Sequence, residues 1–103
     1  MLAAFSVAPM GSPGAEQPES VADAVADCVR IVRESGLPNQ TNAMSTLIEG
    51  SWEDVMTVIR DCVDATTGAA PRASVVIKLD VRPGHDDMMT GKVRAVEERL
   101  RST

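Results

Sequence analysis

The sequence predicts an α+β fold in which helices cover one face of a four-stranded antiparallel sheet. Segments in which apolar and polar residues alternate predict strands, and segments in which apolar residues recur every three or four positions predict helices. These segments follow one another in the order β-α-β-β-α-β-α. The length of 103 residues suits one domain spanning residues 1–103.

The first strand is predicted at residues 2–9. Phe5 lies on one face of this alternation, and Ser6 lies on the other. Pro9 has no amide donor, so we expect it to end the strand. The segment 11–18 is dense in Gly and Pro and therefore predicts a loop.

The first helix is predicted to follow Ser20, which is a suitable N-cap because Asp23 stands three residues later, as in a capping box. Gly36 is expected to end the helix in a left-handed conformation, and Pro38 prevents its continuation. One apolar stripe runs along the helix: Val21, Ala24, Val25, Cys28, Ile31 and Val32.

Two short strands and a second helix are predicted between residues 39 and 68. The segments 39–44 and 45–50 predict the strands. Ser51 can accept a hydrogen bond from the free amides of the helix, and Asp54 completes a capping box. Gly68 marks the end of the helix. We expect its buried stripe to be Trp52, Val55, Met56, Ile59, Cys62 and Val63.

The last strand and a final helix complete the pattern. Residues 73–82 alternate, with Ala73, Val75, Ile77, Leu79 and Val81 on one face. After a loop, Met89, Val93, Val96 and Leu100 have the spacing of an amphipathic helix. The order of elements predicts a ferredoxin-like βαββαβ sandwich plus a C-terminal helix. Its second sheet face would be bare, which favours a second subunit or a ligand there.

Composition and charge exclude several classes of function. The net charge of −5 disfavours nucleic acid as a partner. No apolar run approaches the roughly 20 residues that span a bilayer, and the first residues lack a basic segment typical of a signal peptide. We therefore expect a cytoplasmic protein without membrane contact. Cys28 and Cys62 are expected to be buried free thiols, with a disulfide or a catalytic thiol as the alternative.

Residues typical of metal, cofactor or catalytic sites are sparse. His85 is the one histidine, and Asp86 and Asp87 are too close to it in sequence to surround a metal ion well. It has no paired Ser or Cys nucleophile in the sequence pattern. The segment 11–14 is Gly-rich but lacks the spacing of a nucleotide-binding loop. We expect no metal, no cofactor and no catalytic residues.

Polar residues within the predicted strands are the candidates for binding. Ser6, Asn42 and Thr46 form either a polar sheet surface or a set of hydrogen-bonding groups for a flat heterocycle. Glu49 ends a central strand next to Gly50, and helix capping does not explain its presence. Charged residues at such positions often bind ligands.

Four blocks follow one another along residues 3–101: FSVAPMG, RESGLPNQTNAMSTLIEG, SWEDVMTVIRDC and APRASVVIKLDVRPG. Together they resemble the thiamine-binding, YkoF-like family of small ferredoxin-like proteins. The family's F-S-x-x-P, M-x-T-x-I-E-G and W-E motifs correspond to Phe5, Ser6, Pro9, Met44, Thr46, Ile48, Glu49, Gly50, Trp52 and Glu53. The family often has a His-Pro-Met-Gly-Thr-type segment where this chain reads TNAMST, so Asn42 would replace an imidazole as donor.

The resemblance implies a dimer or tetramer that binds thiamine or its hydroxymethylpyrimidine part in vitamin uptake or salvage, without catalysis. On this reading Glu49 would accept from the amino group of the pyrimidine, and Ser6, Thr46 or Asn42 would serve the ring nitrogens. Met44 and Phe5 would pack on the ring.

Two other classes of function stay open. Small ferredoxin-like dimers include cofactor-free monooxygenases and isomerases, and the chain could also be a regulatory or structural oligomer without a ligand.

Overall fold

The computed structural model of the protein describes residues 1–11 and 18–101. Its strands and helices have the predicted order. The loop predicted at residues 11–18 lies mostly outside the described residues. The elements are β1 (Leu2–Met10), α1 (Pro18–Glu34), β2 (Asn39–Thr41), β3 (Thr46–Glu49), α2 (Trp52–Thr67), β4 (Arg72–Asp80) and α3 (Met88–Arg101).

The four strands form one antiparallel sheet in the order β2-β3-β1-β4. Sequence neighbours β1 and β2 are separated by β3, as expected when α1 crosses over the sheet between them. This arrangement confirms the predicted α+β, ferredoxin-like sandwich with an additional C-terminal helix.

The two helices α1 and α2 cover one face of the sheet, which we call the inner face. Alternate residues of β1, including Phe5, are buried there, whereas Ser6 and its alternates lie on the outer face. The hydrophobic core consists of Ala3, Phe5, Val7, Cys28, Val32, Ile48, Val55, Val58, Ile59 and Cys62. Apolar burial on this one face is what fixes the register of the strands.

Strand β1 has two neighbours over only part of its length. Its pairing with β3 ends at Phe5↔Thr46, but its pairing with β4 continues to Met10↔Arg72. The expectation that Pro9 ends the strand was therefore wrong. Beyond Phe5 the strand has a free edge, where a residue without an amide hydrogen is tolerated.

The ends of the helices follow local rules with one exception. Gly36 follows α1 with a φ of 77°, the left-handed conformation predicted for it. Ser51 caps α2 as predicted, because its hydroxyl accepts from the amide of Asp54 at 3.1 Å. Helix α1 begins at Pro18, however, rather than after Ser20. Proline is favoured in a first turn because it has no amide to leave unpaired.

Two predictions of burial were wrong. Trp52 is 54% exposed, because it is the first residue of α2 and borders an open groove beside Pro83 and His85. Helix α3 buries only Met88 and Met89 of its apolar residues, while Val93 and Val96 are more than half exposed. The main contact of the helix with the sheet is with β3. Among the described helices, none is long and apolar enough to cross a membrane.

Candidate functional site

A cavity of about 120 Å³ opens where β1 loses its neighbour β3. Its walls are the middle of α1, the free edge of β1 and the turn that joins β2 to β3. Five of the six predicted ligand-binding residues line it: Phe5, Ser6, Asn42, Met44 and Thr46. The structure therefore brings side chains of β1 together with side chains of the turn and of β3 that lie 36 or more positions later in the sequence.

The register of the sheet positions the apolar wall of this cavity. Phe5 is 3% exposed and pairs directly with Thr46, so both side chains lie on the inner face. Ser6 is the next residue of β1, and its side chain is exposed. It borders the cavity along the free strand edge, where backbone groups are not engaged by β3.

The turn between β2 and β3 is held by Asn42. Its side-chain oxygen accepts hydrogen bonds from the amides of Met44 at 2.8 Å and Ser45 at 3.0 Å. The backbone amide of Asn42 donates to the carbonyl of Ser45 at 3.1 Å. Asparagine favours such turns because its short side chain replaces a backbone acceptor. Met44 is 86% exposed and lies at the mouth of the cavity.

Several polar groups at the cavity have no partner within the described residues. The side-chain NH₂ group of Asn42 makes no hydrogen bond there, because its turn uses only the oxygen. The hydroxyls of Ser6, Thr41, Ser45 and Thr46 likewise make none to residues 1–11 or 18–101. A hydroxyl can donate and accept, whereas an NH₂ group only donates. The cavity thus offers both kinds of group to a polar ring.

Three lining residues were not predicted as site residues: Val25, Cys28 and Thr41. Cys28 was placed in the apolar stripe of α1, and that stripe is what packs against the cavity. Thr41 could have been predicted from the sequence, because it stands beside Asn42 in the strand–turn–strand segment.

The thiol of Cys28 has unusual partners. The neighbouring side chain of Cys62, with the hydroxyl of Thr66, lowers its pKa from 9.0 to about 7, against the opposing effect of burial. The same contact with Cys28, together with burial, raises the pKa of Cys62. Cys28 is thus the thiol of this pair that ionises first.

Glu49, the sixth predicted residue, lies outside the cavity. It pairs with Leu2 and therefore points to the outer face, where it is 6% exposed. Its carboxylate accepts from the amides of Met88 at 2.6 Å and Met89 at 3.1 Å. Those amides are the first of α3, which have no partner within their own helix. In the structure, Glu49 anchors α3.

His85 is on an exposed loop after β4, as predicted, and its ring contacts the carbonyl of Pro83 at 3.2 Å. A search of the described part of the chain finds no group of three or more His, Cys, Asp or Glu residues able to hold a metal ion.

The volume of the cavity limits what fits inside it. An engineered apolar cavity of about 150 Å³ in another protein admits benzene. The 120 Å³ available between α1 and β1 is slightly smaller, so the cavity has room for at most one six-membered ring. A second ring attached to the first would extend past Met44 and out of the cavity.

Comparisons with known proteins agree with this fold. A protein of Mycobacterium bovis, described only as UPF0045, is 50% identical over 101 residues, covering 97% of this chain and 94% of the relative. A UPF0045 protein of Synechocystis is 32% identical over 85 residues, or 82% of this chain and 70% of the relative.

Solved structures show the same architecture. A hypothetical protein of Methanocaldococcus jannaschii matches with a TM-score of 0.79 at 23% identity, over 94% of this chain and 95% of that one. A Thermotoga maritima protein, assigned provisionally to thiamine biosynthesis or salvage, matches with a TM-score of 0.75 at 13% identity, over 91% and 96%. The family model described as "Thiamine-binding protein" matches residues 3–97. The chain belongs to the thiamine-binding protein family.

Proposed function

We propose that the cavity binds the aminopyrimidine ring of thiamine or of hydroxymethylpyrimidine, and that the protein serves vitamin uptake or salvage. The observation that carries the proposal is the convergence of five predicted residues on one cavity the size of a single ring. Membership in the thiamine-binding family and the provisional thiamine role of the Thermotoga relative support the choice of ligand.

The polar groups of the cavity suit an aminopyrimidine. Its ring nitrogens accept hydrogen bonds, and the free NH₂ group of Asn42 and the hydroxyl of Thr46 can donate to them. Its amino group donates, and a hydroxyl or a backbone carbonyl on the free edge of β1 can accept. The position of Glu49 beneath α3 does not favour the contact with the amino group predicted for it.

Charge and size support a defined orientation of thiamine. The pyrimidine would enter beside Phe5, and the cationic thiazolium would remain near the exposed Met44. A net charge of −5 favours a cation over an anion at the surface. Most of the discrimination would then come from the pyrimidine half.

Calorimetric titration with thiamine, hydroxymethylpyrimidine and the isolated thiazole alcohol tests this proposal. We expect the first two to bind and the thiazole to bind at least about tenfold more weakly, because only the pyrimidine would meet the hydrogen-bonding groups of the cavity. Binding of the thiazole alone, or of none of the three, would refute the assignment.

Thr46→Val tests the site itself. The change keeps the shape of the side chain but removes one hydroxyl, so we expect affinity for hydroxymethylpyrimidine to fall about three- to tenfold. Thr57→Val is the matched control, because Thr57 is exposed on α2 and does not line the cavity. Equal effects of the two changes would place the ligand elsewhere.

We also propose that the protein assembles as a homodimer or homotetramer. Supporting features are the exposed apolar side chains of Val76 on the edge strand β4 and of Val93 and Val96 on α3, all 56–65% exposed. An edge strand with exposed apolar residues is a template for pairing with another chain. A radius of gyration of 15.5 Å, against about 13 Å expected for this length, fits a helix that extends from the body.

Sedimentation of the wild-type chain and of Val76→Glu and Val96→Glu tests the assembly. We expect an oligomer for the wild type and a shift toward monomer for both variants, since each replaces an exposed apolar side chain by a charge. Ala26→Glu adds the same charge to an exposed position of α1 and should change nothing. A monomeric wild-type protein would refute the proposal.

We propose binding without catalysis and a location in the cytoplasm. Two buried free cysteines suit a reducing compartment. The rival is an enzyme, and the feature that favours it is the thiol of Cys28 at the cavity. Incubation of the protein with thiamine, followed by chromatography of the vitamin, decides between them. Stoichiometric recovery of thiamine is expected, and its conversion would support the enzyme.

A further inference from the structure

Two thiols face each other across the interface of α1 and α2, directly behind the cavity. The sulfur of Cys28 lies 3.7 Å from the carbonyl oxygen of Cys62. The sulfur of Cys62 lies 3.6 Å from the carbonyl oxygen of Cys28. The hydroxyl of Thr66 is 3.7 Å from the sulfur of Cys28. These reciprocal contacts place each sulfur against the backbone of the other cysteine.

The two thiols differ in access. Cys28 is 7% exposed and lines the cavity, whereas Cys62 is fully buried. A small solute that enters the cavity can therefore reach only Cys28. The thiolate is the reactive form of cysteine, and the lowered pKa of Cys28 gives it a large thiolate fraction near neutral pH.

We propose that Cys28 and Cys62 form an oxidisable pair, in which the thiolate of Cys28 attacks a peroxide that enters the cavity and Cys62 then closes a disulfide between α1 and α2. The thiolate of Cys28 displaces one oxygen of hydrogen peroxide. The O–O bond breaks, the departing hydroxide takes up a proton as water, and Cys28 becomes a sulfenic acid.

The second step uses the contact between the side chains. The sulfur of Cys62 attacks that of Cys28, its proton leaves with the hydroxyl as a second water, and the S–S bond forms. Two thiols and one peroxide thus give one disulfide and two waters. Once Cys28 is a neutral sulfenic acid, the thiolate that raised the pKa of Cys62 is gone, which favours this attack.

The disulfide requires a modest rearrangement. An S–S bond is about 2.05 Å long, so the sulfurs must approach by rotation of their side chains. A thiol reductant reverses the reaction by exchange. The pair belongs to the core of the fold, so the proposal does not depend on which ligand the cavity binds.

Peptide mapping of the wild-type protein tests the proposal without any variant. The folded protein is treated with hydrogen peroxide, its remaining thiols are blocked with N-ethylmaleimide, and it is digested with trypsin. Since no Lys or Arg precedes Arg30, and Arg60 and Arg72 flank Cys62, the thiols lie in peptides 1–30 and 61–72. We expect these peptides linked, with the loss of two hydrogen atoms, and released by dithiothreitol.

The two single variants assign the roles. In Cys62→Ser, Cys28 should accumulate as a sulfenic acid that dimedone traps. In Cys28→Ser, Cys62 should stay reduced, because it has no access to the cavity. Circular dichroism verifies that each variant is folded. Failure of the wild-type peptides to link, or trapping of Cys62 instead of Cys28, would overturn the proposal.

Discussion

Replacement of Glu49 by alanine tests how α3 is attached to the sheet. The carboxylate of Glu49 accepts from the first two amides of α3, and its position at the helix N-terminus also complements the helix dipole. Hydrogen bonds to a charged group contribute about 1.5–3 kcal/mol each. If α3 stayed in place, Glu49→Ala would therefore cost about 3–6 kcal/mol.

The alternative response is that α3 detaches, so that water hydrates its amides. Detachment exposes Met88 and Met89, which are 6% and 8% exposed in the structure. Each buried methionine contributes about 1.5–3 kcal/mol, so this route also costs about 3 kcal/mol or more. Either way, we expect the free energy of unfolding to fall by about 3 kcal/mol, a large part of the 5–15 kcal/mol typical of a domain.

Urea unfolding followed by circular dichroism measures this loss. With a slope of about 1–3 kcal/mol/M, the midpoint should fall by about 1 M or more. Glu49→Gln keeps one acceptor oxygen and should lose roughly half as much. Hydrogen exchange distinguishes the two routes, because only detachment removes the protection of amides throughout α3.

Glu97→Gln is the matched control, because Glu97 is an exposed carboxylate on the same helix. It should change the free energy of unfolding by less than about 0.5 kcal/mol. If Glu49→Ala were no more destabilising than this control, the carboxylate would not anchor α3. A specific loss of thiamine affinity in a folded Glu49→Gln protein would instead support the ligand contact predicted from the sequence.

Three further predictions concern single residues. Ser51→Ala should lower the free energy of unfolding by about 1 kcal/mol in urea titrations, because the amide of Asp54 loses its acceptor, and an unchanged midpoint would contradict this role. Gly36→Ala should cost about 1–2 kcal/mol by the same assay from its left-handed φ alone, since no atom lies within 4 Å of the added carbon. Alkylation of Cys28 by iodoacetamide should rise with pH around a midpoint of about 7, not 9, and be slowed by hydroxymethylpyrimidine in the cavity.

The depressed pKa of Cys28 also has a consequence for stability. A thiol whose pKa is lower in the folded state contributes stability that is fully present above its unfolded pKa of 9.0 and is lost as the pH falls through about 7. Because the neighbouring side chain of Cys62 is the main cause of the lowered pKa, the gain in stability between these pH values should vanish in Cys62→Ala. Urea midpoints of the reduced wild-type and variant proteins at pH 6 and 9 measure this gain in stability.

Local sequence signals predicted the elements well. Alternation located β1 and β4, and the capping residues Ser51 and Gly36 marked two helix boundaries correctly. Each of these signals acts within a few residues, so the physical rule needs no knowledge of the rest of the chain. The error at Pro9 arose because the rule for proline depends on whether the strand has one neighbour or two at that point.

The site was predicted only in part, because its geometry depends on contacts distant in sequence. Glu49 has a plain structural role that becomes visible once the amide of Met88, 39 residues away, is placed beside it. Cys28 was assigned to the core correctly. The spacing of apolar residues along α1 does not indicate, however, that a cavity lies next to this residue. A helical stripe indicates which residues face inward and not whether a strand lies opposite them.

The unequal lengths of the strands explain why a cavity forms beside Phe5. Strand β1 has nine residues and β3 has four, so the sheet cannot fill the space beneath the middle of α1 beyond the pair Phe5↔Thr46. The chain reverses direction in the turn held by Asn42, so that beyond Phe5 no described strand pairs with β1 on that side. A longer β3 would satisfy those groups and close the cavity. The interrupted pairing is therefore the feature that converts a common sandwich into one with room for a ring and with hydrogen-bonding groups to hold it.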